Sequence, residues 1–467
     1  MIYIKVIGYN LEFNRIMENL EPLSRYGLFD ARVPRYTSYP PANHFQNAVG
    51  QRRQMEWLTS IEDGEDVSVY VHIPFCKRLC WFCACRTQGT QTMRPVDAYI
   101  NVVLQEIAAV RQVLPEGVTM GRLHLGGGTP TILPPATMTK LLEAVFAAFT
   151  PADEFEFSVE IDPTEASKDL LTTLIDFGMN RASIGVQDFD PRVQAAIGRA
   201  QSLEQTTDVV AFLRAGGIDA INLDLLYGLP FQTEESFSET LSHVMAMSPD
   251  RLAIYGYAHV PWMSKRQVLI KEETLPDTVQ RFGLARIAHE TLTREGYAAI
   301  GIDHFAKPTD SLYKADQAGQ LRRNFQGYTD DQSATLIGFG ASAISRFRQG
   351  YQQNAAATSA YQDRIQTTGF AGHKGYEMTG TDQLIATIIE ELMCRFRFPT
   401  RALQERFPEH ADIIRQTSVS LMSQYPDVFR LGGGGVEMLP FAYPLVRVIA
   451  SFVDRFTTQE AAHAAAI

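Results

Sequence analysis

Short apolar, β-branched runs alternate along the chain with longer runs of helical period. After a polar N-terminal arm, the alternation predicts strands at residues 68–75, 122–126, 155–162, 181–187, 220–227 and 251–258. Helices are predicted between them at residues 96–114, 137–149, 168–177 and 203–215. Near-continuous apolar strands that alternate with helices are typical of a parallel sheet covered by helices. The pattern therefore predicts an α/β fold, a partial parallel (β/α) barrel of about six βα units, with a doubly wound open sheet as the alternative.

Local signals fix several helix ends. Ser202 with Gln205 forms a capping box at the start of one predicted helix. Gly178 and Gly216 stand where a left-handed C-cap is expected.

The chain beyond residue 260 has a different character. It predicts a helix at 277–295, a strand at 298–304, a polar loop at 322–331, a hairpin turn at 432–435 and a final amphipathic helix at 444–456. We predict four segments, which are an N-terminal arm and helical lead-in (1–66), the barrel core (67–305), a substrate-covering loop and connecting segment (306–378) and a small, mainly helical C-terminal domain (379–467).

Composition narrows the possible partners. The 467 residues carry a formal net charge of −11, which argues against nucleic acid, and no apolar run reaches the roughly 20 residues that membrane insertion requires. The first residues do not resemble a secretory signal, so we expect a cytoplasmic protein, with Met17 as an alternative translation start. Four of the five cysteines fall inside one ten-residue window, a clustering that indicates metal and not a disulfide framework.

Polar residues and glycines follow nearly every predicted strand. They are Cys76 onward, Gly126 to Thr129, Glu160 and Asp162, Gln187, Asp224 with Tyr227, and Tyr257 with His259. In a parallel α/β barrel the carboxyl ends of the strands bind ligands, so we expect these side chains to meet at one cavity mouth.

The cysteines Cys76, Cys80 and Cys83 lie on one predicted loop at spacings of four and three residues. Structural zinc sites usually use cysteine pairs that are far apart in sequence, whereas three close thiolates suit three irons of a 4Fe-4S cluster and leave the fourth iron open. This spacing resembles the radical S-adenosylmethionine (SAM) superfamily, and the resemblance implies that the open iron chelates SAM and that the reduced cluster cleaves it to a 5′-deoxyadenosyl radical. Phe82 matches the aromatic residue usual in that motif, and the glycines after the next strand offer bare backbone for close approach.

Further motifs resemble a narrower family, the oxygen-independent coproporphyrinogen III oxidases. They are Pro34-Arg-Tyr-Thr-Ser-Tyr-Pro40, Tyr70-Val-His-Ile-Pro-Phe-Cys76, Gly185-Val-Gln-Asp-Phe189, Asp224-Leu-Leu-Tyr-Gly-Leu-Pro230, Tyr257-Ala-His259, Asp303-His-Phe305 and Arg323-Asn-Phe-Gln-Gly-Tyr328. The resemblance extends from Pro34 into the C-terminal segment.

Carried over residue by residue, the resemblance implies two bound SAM molecules. One would contact Tyr70, Phe82, Gly127, Glu160 and Ile344, and the second Gly128, Thr129, Gln187, Arg199, Asp224 and Ala258. It further implies catalytic roles for Cys85, Tyr70 and Gln326, and cluster ligation by Cys76, Cys80 and Cys83. Cys394 is interpreted as a buried apolar residue.

The implied reaction converts two propionates of coproporphyrinogen III to vinyl groups, giving protoporphyrinogen IX in haem synthesis. The implied partners are this substrate, an electron donor of flavodoxin or ferredoxin type and an unidentified electron acceptor, and the implied state is a monomer. A substrate with four propionates requires a local basic cluster in this acidic protein, for which Arg35, Arg199, Arg322, Arg323 and Lys307 are candidates.

Departures from the family pattern leave alternatives open. Ala84 and Arg86 flank the fourth cysteine, where the family commonly shows Gly and Asn, and Leu125 replaces an expected Trp. A haem-chaperone-like or methyltransferase-like relative would share the same cluster. A four-cysteine zinc module for protein binding is a rival from another class, and its colourless metal would distinguish it from an iron-sulfur protein.

Overall fold

The computed structural model describes residues 21–456 and residue 466. The alternative start at Met17 lies outside the described residues. Within them, one 12-stranded sheet runs through the molecule. Its strands in chain order are β1 (Asp66–Ile73), β2 (Thr119–Gly127), β3 (Thr150–Ile161), β4 (Arg181–Gln187), β5 (Ala220–Tyr227), β6 (Arg251–Gly256), β7 (Ala298–Ile300), β8 (His304–Ala306), β9 (Leu336–Phe339), β10 (Ile344–Phe347), β11 (Gly350–Asn354) and β12 (Gly372–Glu377).

The order of the strands explains the shape of the sheet. It runs β12-β11-β10-β9-β1-β2-β3-β4-β5-β6-β8-β7, and strands β9 and β1 to β6 are parallel. Antiparallel strands extend both ends. No described pairing joins β7 to β12, so the parallel strands form a partial barrel, as predicted.

Helices cover the sheet and pack beyond it. They are α1 (Gln51–Thr59), α2 (Arg94–Val113), α3 (Pro135–Ala148), α4 (Lys168–Asp176), α5 (Pro191–Ala196), α6 (Leu203–Ala215), α7 (Glu234–Ala246), α8 (Thr278–Arg294), α9 (Ser311–Gln317), α10 (Thr358–Thr368), α11 (Gly380–Arg395), α12 (Thr400–Arg406), α13 (Ala411–Gln424) and α14 (Val446–Val453). The predicted capping box between Ser202 and Gln205 is present at the start of α6.

The main core lies between the parallel strands and these helices. Strand β1 shows why, because Val67, Val69, Val71 and Ile73 are all essentially inaccessible to solvent. The helices contribute apolar residues from one face each, such as Leu141, Leu142 and Val145 of α3. Burial of apolar surface on this scale is the dominant favourable contribution to folding.

Three local predictions were wrong in detail. The strand predicted at 298–304 is an antiparallel hairpin of β7 and β8, because the chain turns at Gly301, whose φ is +59°. The polar loop predicted at 322–331 contains a second hairpin, Arg322–Asn324 with Gly327–Thr329. After α6 the left-handed residue is Gly217 (φ +85°), whereas Gly216 has φ −81°; Gly178 is left-handed as predicted.

The N-terminal arm and the C-terminal segment share a second apolar cluster. Leu23, Leu28 and Val33 of the arm pack with Leu384 of α11 and Leu445, which precedes α14. The predicted turn at 432–435 joins the strands Phe429–Gly432 and Gly435–Met438. The last helix, α14, is shorter than predicted, since residues 440–445 form a separate 3-10 turn.

Strands β9 to β12 continue the sheet through residues 336–377. Part of the segment 306–378, which was predicted to be a substrate-covering loop and connecting segment, therefore belongs to the sheet. The four segment boundaries otherwise stay a prediction. In the described part of the chain, no helix combines the length and the apolar character that crossing a membrane requires.

Candidate functional site

The cysteine loop leaves the carboxyl end of β1 and is held by hydrogen bonds to its main chain. Trp81 N donates to Ile197 O (2.9 Å), Gln267 Nε2 donates to Phe82 O (2.8 Å) and Ser264 Oγ donates to Cys83 O (2.9 Å). Cys76 and Cys80 are buried, Cys83 is half-buried and Cys85 is exposed. Neighbouring segments therefore hold the loop through its main-chain groups.

Polar groups face the cysteine sulfurs. Arg199 lies between Asp162 and Cys80, with its Nη1 3.2 Å from the Asp162 carboxylate and 3.6 Å from the Cys80 sulfur. Thr129 Oγ1 lies 3.5 Å from the Cys76 sulfur. A hydrogen bond from Cys85 lowers the pKa of the Cys83 thiol, whereas burial raises the pKa of Cys76 to about 11. The buried guanidinium provides a positive charge that favours the thiolate state needed for metal binding.

The glycines at the end of β2 lie too close to the cysteine loop and to the strand before it to carry a side chain. A Cβ on Gly128 would lie 2.7 Å from Phe75 O and 3.0 Å from the Cys76 sulfur. A Cβ on Gly127 would lie 2.7 Å from the His72 ring, and its φ is +118°. Only bare backbone allows this approach, and it leaves the main chain beside Cys76 open to a ligand.

Among residues 21–456 and 466, no three His, Cys, Asp or Glu side chains surround a common point as ligands of a single metal ion. The loop offers three thiolates, with the Arg199 guanidinium beside Cys80 and the Gly128 main chain beside Cys76, and this donor set fits three irons of a 4Fe-4S cluster.

Glu160, at the end of β3, anchors a second group of polar side chains. Its carboxylate accepts hydrogen bonds from Gly127 N (3.0 Å) and His124 Nε2 (3.4 Å). Although burial opposes it, the pKa of Glu160 is lowered by His124 and by the Gly127 amide. Tyr70 stacks on His124 and hydrogen-bonds His72 Nδ1 (2.9 Å). The arrangement gives an ionised acceptor beside the exposed main chain of the glycine turn.

Asp224 and Gln187 lie at the carboxyl ends of β5 and β4. Asp224 accepts hydrogen bonds from Ser183 Oγ (3.0 Å) and Asn222 Nδ2 (2.8 Å), and burial raises its pKa. Gln187 has the uncommon φ of +70°, and Arg199 Nη2 donates to Gly185 O (2.8 Å) two residues earlier. Arg199 thereby connects this end of β4 with Cys80.

Three predicted site residues lie farther from the cysteine loop. Ala258 reaches it indirectly, since Gln267 Nε2 donates to both Ala258 O and Phe82 O. Gln326 is exposed, and its carbonyl accepts from Tyr255 Oη at 3.2 Å. Ile344 lines a separate pocket of about 20 Å³ beside Asn324 and Phe325. The roles given to these residues by the resemblance stay predictions.

A large cavity opens at the same carboxyl edge of the sheet. It measures about 770 Å³ and reaches the ends of β5 and β6 at Tyr227 and Gly256. Arg35 and Arg323 line it, as the charge argument predicted; Arg281 and Arg447 line it too and were missed.

The other basic candidates lie elsewhere. Lys307 Nζ donates to Ser248 O (2.9 Å) and lies 3.4 Å from Asp250, and Arg322 hydrogen-bonds Gln332 O. Arg199 lies at the cysteine loop.

His124 and Arg281 were not predicted as site residues, and only His124 has a recognisable signal in the sequence. His124 is a polar position between the buried Leu123 and Leu125 of β2, which is the signal of a side chain that faces a polar interior. Arg281 carries no such signal, because it stands in an ordinary amphipathic helix.

Comparison with known proteins defines the class first. Residues 70–244 match the model of the Radical SAM superfamily. This range contains the cysteine loop, the glycine turn, Glu160, Gln187 and Asp224, so the sequence match and the strand-end geometry coincide.

The narrower match covers almost the whole chain. An oxygen-independent coproporphyrinogen III oxidase of Cereibacter sphaeroides is 48% identical over 451 residues, covering 96% of this chain and 100% of the relative. The enzyme of that name from Escherichia coli is 36% identical, covering 92% and 94%. A solved structure described as coproporphyrinogen III oxidase from Escherichia coli, a radical SAM enzyme, superposes with a TM-score of 0.86 at 33% identity, covering 91% and 100%.

The chain therefore belongs to the oxygen-independent coproporphyrinogen III oxidase family of radical SAM enzymes. Membership implies an oxidoreductase that uses a 4Fe-4S cluster and SAM.

Proposed function

We propose that this chain catalyses the oxidative decarboxylation of two propionate side chains of coproporphyrinogen III to vinyl groups, which gives protoporphyrinogen IX in haem biosynthesis. The observation that carries the proposal is the pairing of the cysteine loop with an arginine-lined cavity at one edge of the sheet. Relatives that bear this enzyme's name match the chain over nearly its whole length.

The cluster would be held by Cys76, Cys80 and Cys83. When bound, the cluster and SAM would supply the 5′-deoxyadenosyl radical chemistry needed to remove a hydrogen atom from the β-carbon of a propionate. The substrate then loses carbon dioxide and one electron to form the alkene. Water has to be kept from this site, because a primary carbon radical abstracts hydrogen indiscriminately.

The chain's own residues would position the first SAM through the glycine turn. Gly127 and Gly128 expose main chain, and Glu160 is an ionised acceptor for an ammonium or a hydroxyl. Tyr70, beside His124, and Phe82, on the cysteine loop, are the further proposed contacts. Ile344 is the least supported member of this set, since it lines a different pocket.

A second SAM is part of the proposal. Its candidate contacts share the strand ends next to the cysteine loop and are Gly128, Thr129, Gln187, Arg199, Asp224 and Ala258. The hydrogen bonds that connect Arg199 with Gly185 support one continuous polar surface there. Cys85, Tyr70 and Gln326 are proposed as catalytic residues, and the exposure of Cys85 is compatible with a role other than cluster ligation.

The remaining partners follow from the chemistry. A flavodoxin- or ferredoxin-type donor would reduce the cluster, and an unidentified acceptor would take the electron released with carbon dioxide. The exposed residues Ala84, Cys85 and Arg86 make the cysteine loop accessible to such a donor. We propose that the protein is a monomer in the cytoplasm. Cysteines usually stay unpaired in that compartment, as all five do here.

An anaerobic assay of the reconstituted protein tests the function. It would contain SAM, a strong reductant, cell extract as acceptor and coproporphyrinogen III, with porphyrins and 5′-deoxyadenosine followed by chromatography. We expect protoporphyrinogen in the wild type and none in Cys83→Ser, while Cys394→Ser, at a buried cysteine of α11, retains conversion.

The alternatives give different results in the same assay. Deoxyadenosine without porphyrin conversion would leave a radical enzyme with another substrate. Neither product, despite a brown iron-sulfur protein, would favour the haem-chaperone-like alternative. A colourless protein that retains zinc would favour the interaction module.

A further inference from the structure

The 770 Å³ cavity has an unusual electrostatic composition for an acidic protein. Its lining includes six arginines and four carboxylates. Two of those carboxylates have other roles, since Asp277 caps helix α8 and Glu290 pairs with Arg286 at 2.9 Å. Arg35, Arg281, Arg323 and Arg447 line the cavity together with Asp303, which lies 3.7 Å from Arg323.

Main-chain carbonyls accept hydrogen bonds from several of these guanidinium groups. Arg447 donates to Val33 O (2.7 Å), Pro34 O (3.1 Å) and Ala466 O (3.0 Å), and Arg35 Nη2 donates to Gly256 O (2.9 Å). Carbonyls fix the position of a guanidinium without neutralising its charge. The groups are thus oriented and still cationic.

Arg323 gives the most direct sign of a missing anion. Its side chain is 6% exposed, it lies over the Tyr328 ring, and its Nη2 lies 3.7 Å from Asp303. Within the described part of the chain, its Nε and Nη1 are buried and have no hydrogen-bond partner. A buried charged donor without a partner is costly, and the oxygen of a bound carboxylate would accept a hydrogen bond from Nη1.

The positive charges of these arginines also repel one another, and this repulsion shifts their pKa values. Burial, together with repulsion from Arg35 and Arg323, lowers the pKa of Arg447 to about 9. Burial and Arg35 lower the pKa of Arg281 as well. Such mutual repulsion is relieved when an anion enters between the groups.

We propose that Arg281 and Arg323, supported by Arg35 and Arg447, form a carboxylate-binding site for propionates of the tetrapyrrole, including the second propionate to be converted, which the site holds while the first reacts. This deepens the proposed function and rests on it. Because each turnover converts a carboxylate to a neutral vinyl group, the site distinguishes ligands by the number of carboxylates they carry. A tetracarboxylate is retained, whereas the dicarboxylate product is released.

The test is equilibrium dialysis of cluster-reconstituted full-length protein against two stable oxidised porphyrins, coproporphyrin III with four carboxylates and protoporphyrin IX with two. We expect the wild type to bind the tetracarboxylate about tenfold or more tightly, an advantage that shrinks as salt is raised. Arg323→Gln and Arg281→Gln are each expected to weaken tetracarboxylate binding about tenfold, with little effect on the dicarboxylate.

Arg286→Gln is the matched control, since Arg286 lines the same cavity but is already paired with Glu290, and it should change either affinity less than about twofold. Thermal unfolding and iron content identify any variant that fails to fold, and Arg281→Lys then separates lost charge from lost geometry.

Equal affinities of the wild type for the two porphyrins, or unchanged affinities in both Gln variants, would overturn the site. If such a wild type still converts coproporphyrinogen III in the turnover assay, only this inference fails. If it neither binds the tetracarboxylate nor converts coproporphyrinogen III, the proposed function fails as well.

Discussion

At the scale of single residues, the site depends on positions where a side chain is absent. Gly128 is the clearest example, because an added Cβ would lie 2.7 Å from Phe75 O, 2.9 Å from Phe75 N and 3.0 Å from the Cys76 sulfur. The first two neighbours are main-chain atoms of the strand that leads into the cysteine loop, so they cannot move aside without displacing Cys76.

We therefore expect Gly128→Ala to lower the iron and acid-labile sulfide content of the reconstituted protein severalfold. Gly121→Ala is the control, in the strand β2 that ends just before Gly128, since its Cβ would meet only the Asp66 Cβ at an ordinary 3.8 Å. Iron analysis and visible absorption of both proteins test this. Full cluster content in Gly128→Ala would mean that the loop is not held against this glycine.

Residue patterns also show what a sequence can and cannot reveal about this site. Cys76, Cys80 and Cys83 lie within eight residues of one another, so their chemistry is readable directly from their spacing. The arginine wall joins residues 35, 281, 323 and 447, which only the folded chain brings together. Charge arguments selected Arg35 and Arg323 because they stand in recognisable motifs, and missed Arg281 and Arg447, which do not.

At the scale of elements, buried polar contacts join the helices to the sheet. Glu106 of α2 accepts hydrogen bonds from Gly340 N (2.8 Å) after β9, Asn354 Nδ2 (2.7 Å) of β11 and Tyr361 Oη (2.7 Å) of α10. Burial outweighs these three hydrogen bonds and raises the pKa of Glu106 from 4.5 to about 7. The folded protein therefore retains this proton to a higher pH than the unfolded chain does.

The consequence is a loss of stability as the pH rises. Below about pH 4.5 the Glu106 carboxyl is protonated in both the folded and the unfolded state. Above about pH 7 it is ionised in both, and only the folded state has the cost of burying the charge. This cost is about 3 kcal/mol at 1.4 kcal/mol per pKa unit. We expect the unfolding free energy of the wild type minus that of Glu106→Gln to fall by about this amount between pH 5 and 8. Urea titrations measure it.

Glu143→Gln, at an exposed position of α3, serves as the control for replacing a carboxylate that is not buried. A constant difference for Glu106→Gln would show that the carboxyl is ionised in the folded state throughout this range.

The strands also show which features could be predicted from the sequence and which could not. The strands at 181–187 and 220–227 agree with the structure to the residue, because each is an apolar run bounded by polar or glycine residues. The predicted strand at 298–304 failed because its apolar run continues across Gly301, where a positive φ turns the chain back. Periodicity alone does not register such a turn.

At the scale of the whole molecule, the two edges of the parallel sheet have different tasks. The carboxyl edge bears the cysteine loop and the arginine-lined cavity. Away from it, charged residues of the strands form a buried network: Arg251 pairs with Asp310 at 2.6 Å, Arg181 with Asp310 at 3.4 Å and with Glu156 at 2.7 Å, and Glu156 with Arg122 at 2.8 Å. This network connects β2, β3, β4 and β6 with the start of α9, which Asp310 caps.

If one edge of the sheet provides stability and the other provides binding, a substitution in the ion-pair network should lower stability and leave binding intact. Removing one partner of a buried ion pair leaves an uncompensated charge, so we expect Asp310→Asn to lower the unfolding free energy by about 3–5 kcal/mol. Glu405→Gln removes the exposed Arg401 pair, whose side chains are 82% and 66% exposed, and should cost less than about 1 kcal/mol. Below its unfolding temperature, Asp310→Asn should retain cluster content and the preference for coproporphyrin III. A folded Asp310→Asn protein that has lost either property would show that the two edges are coupled.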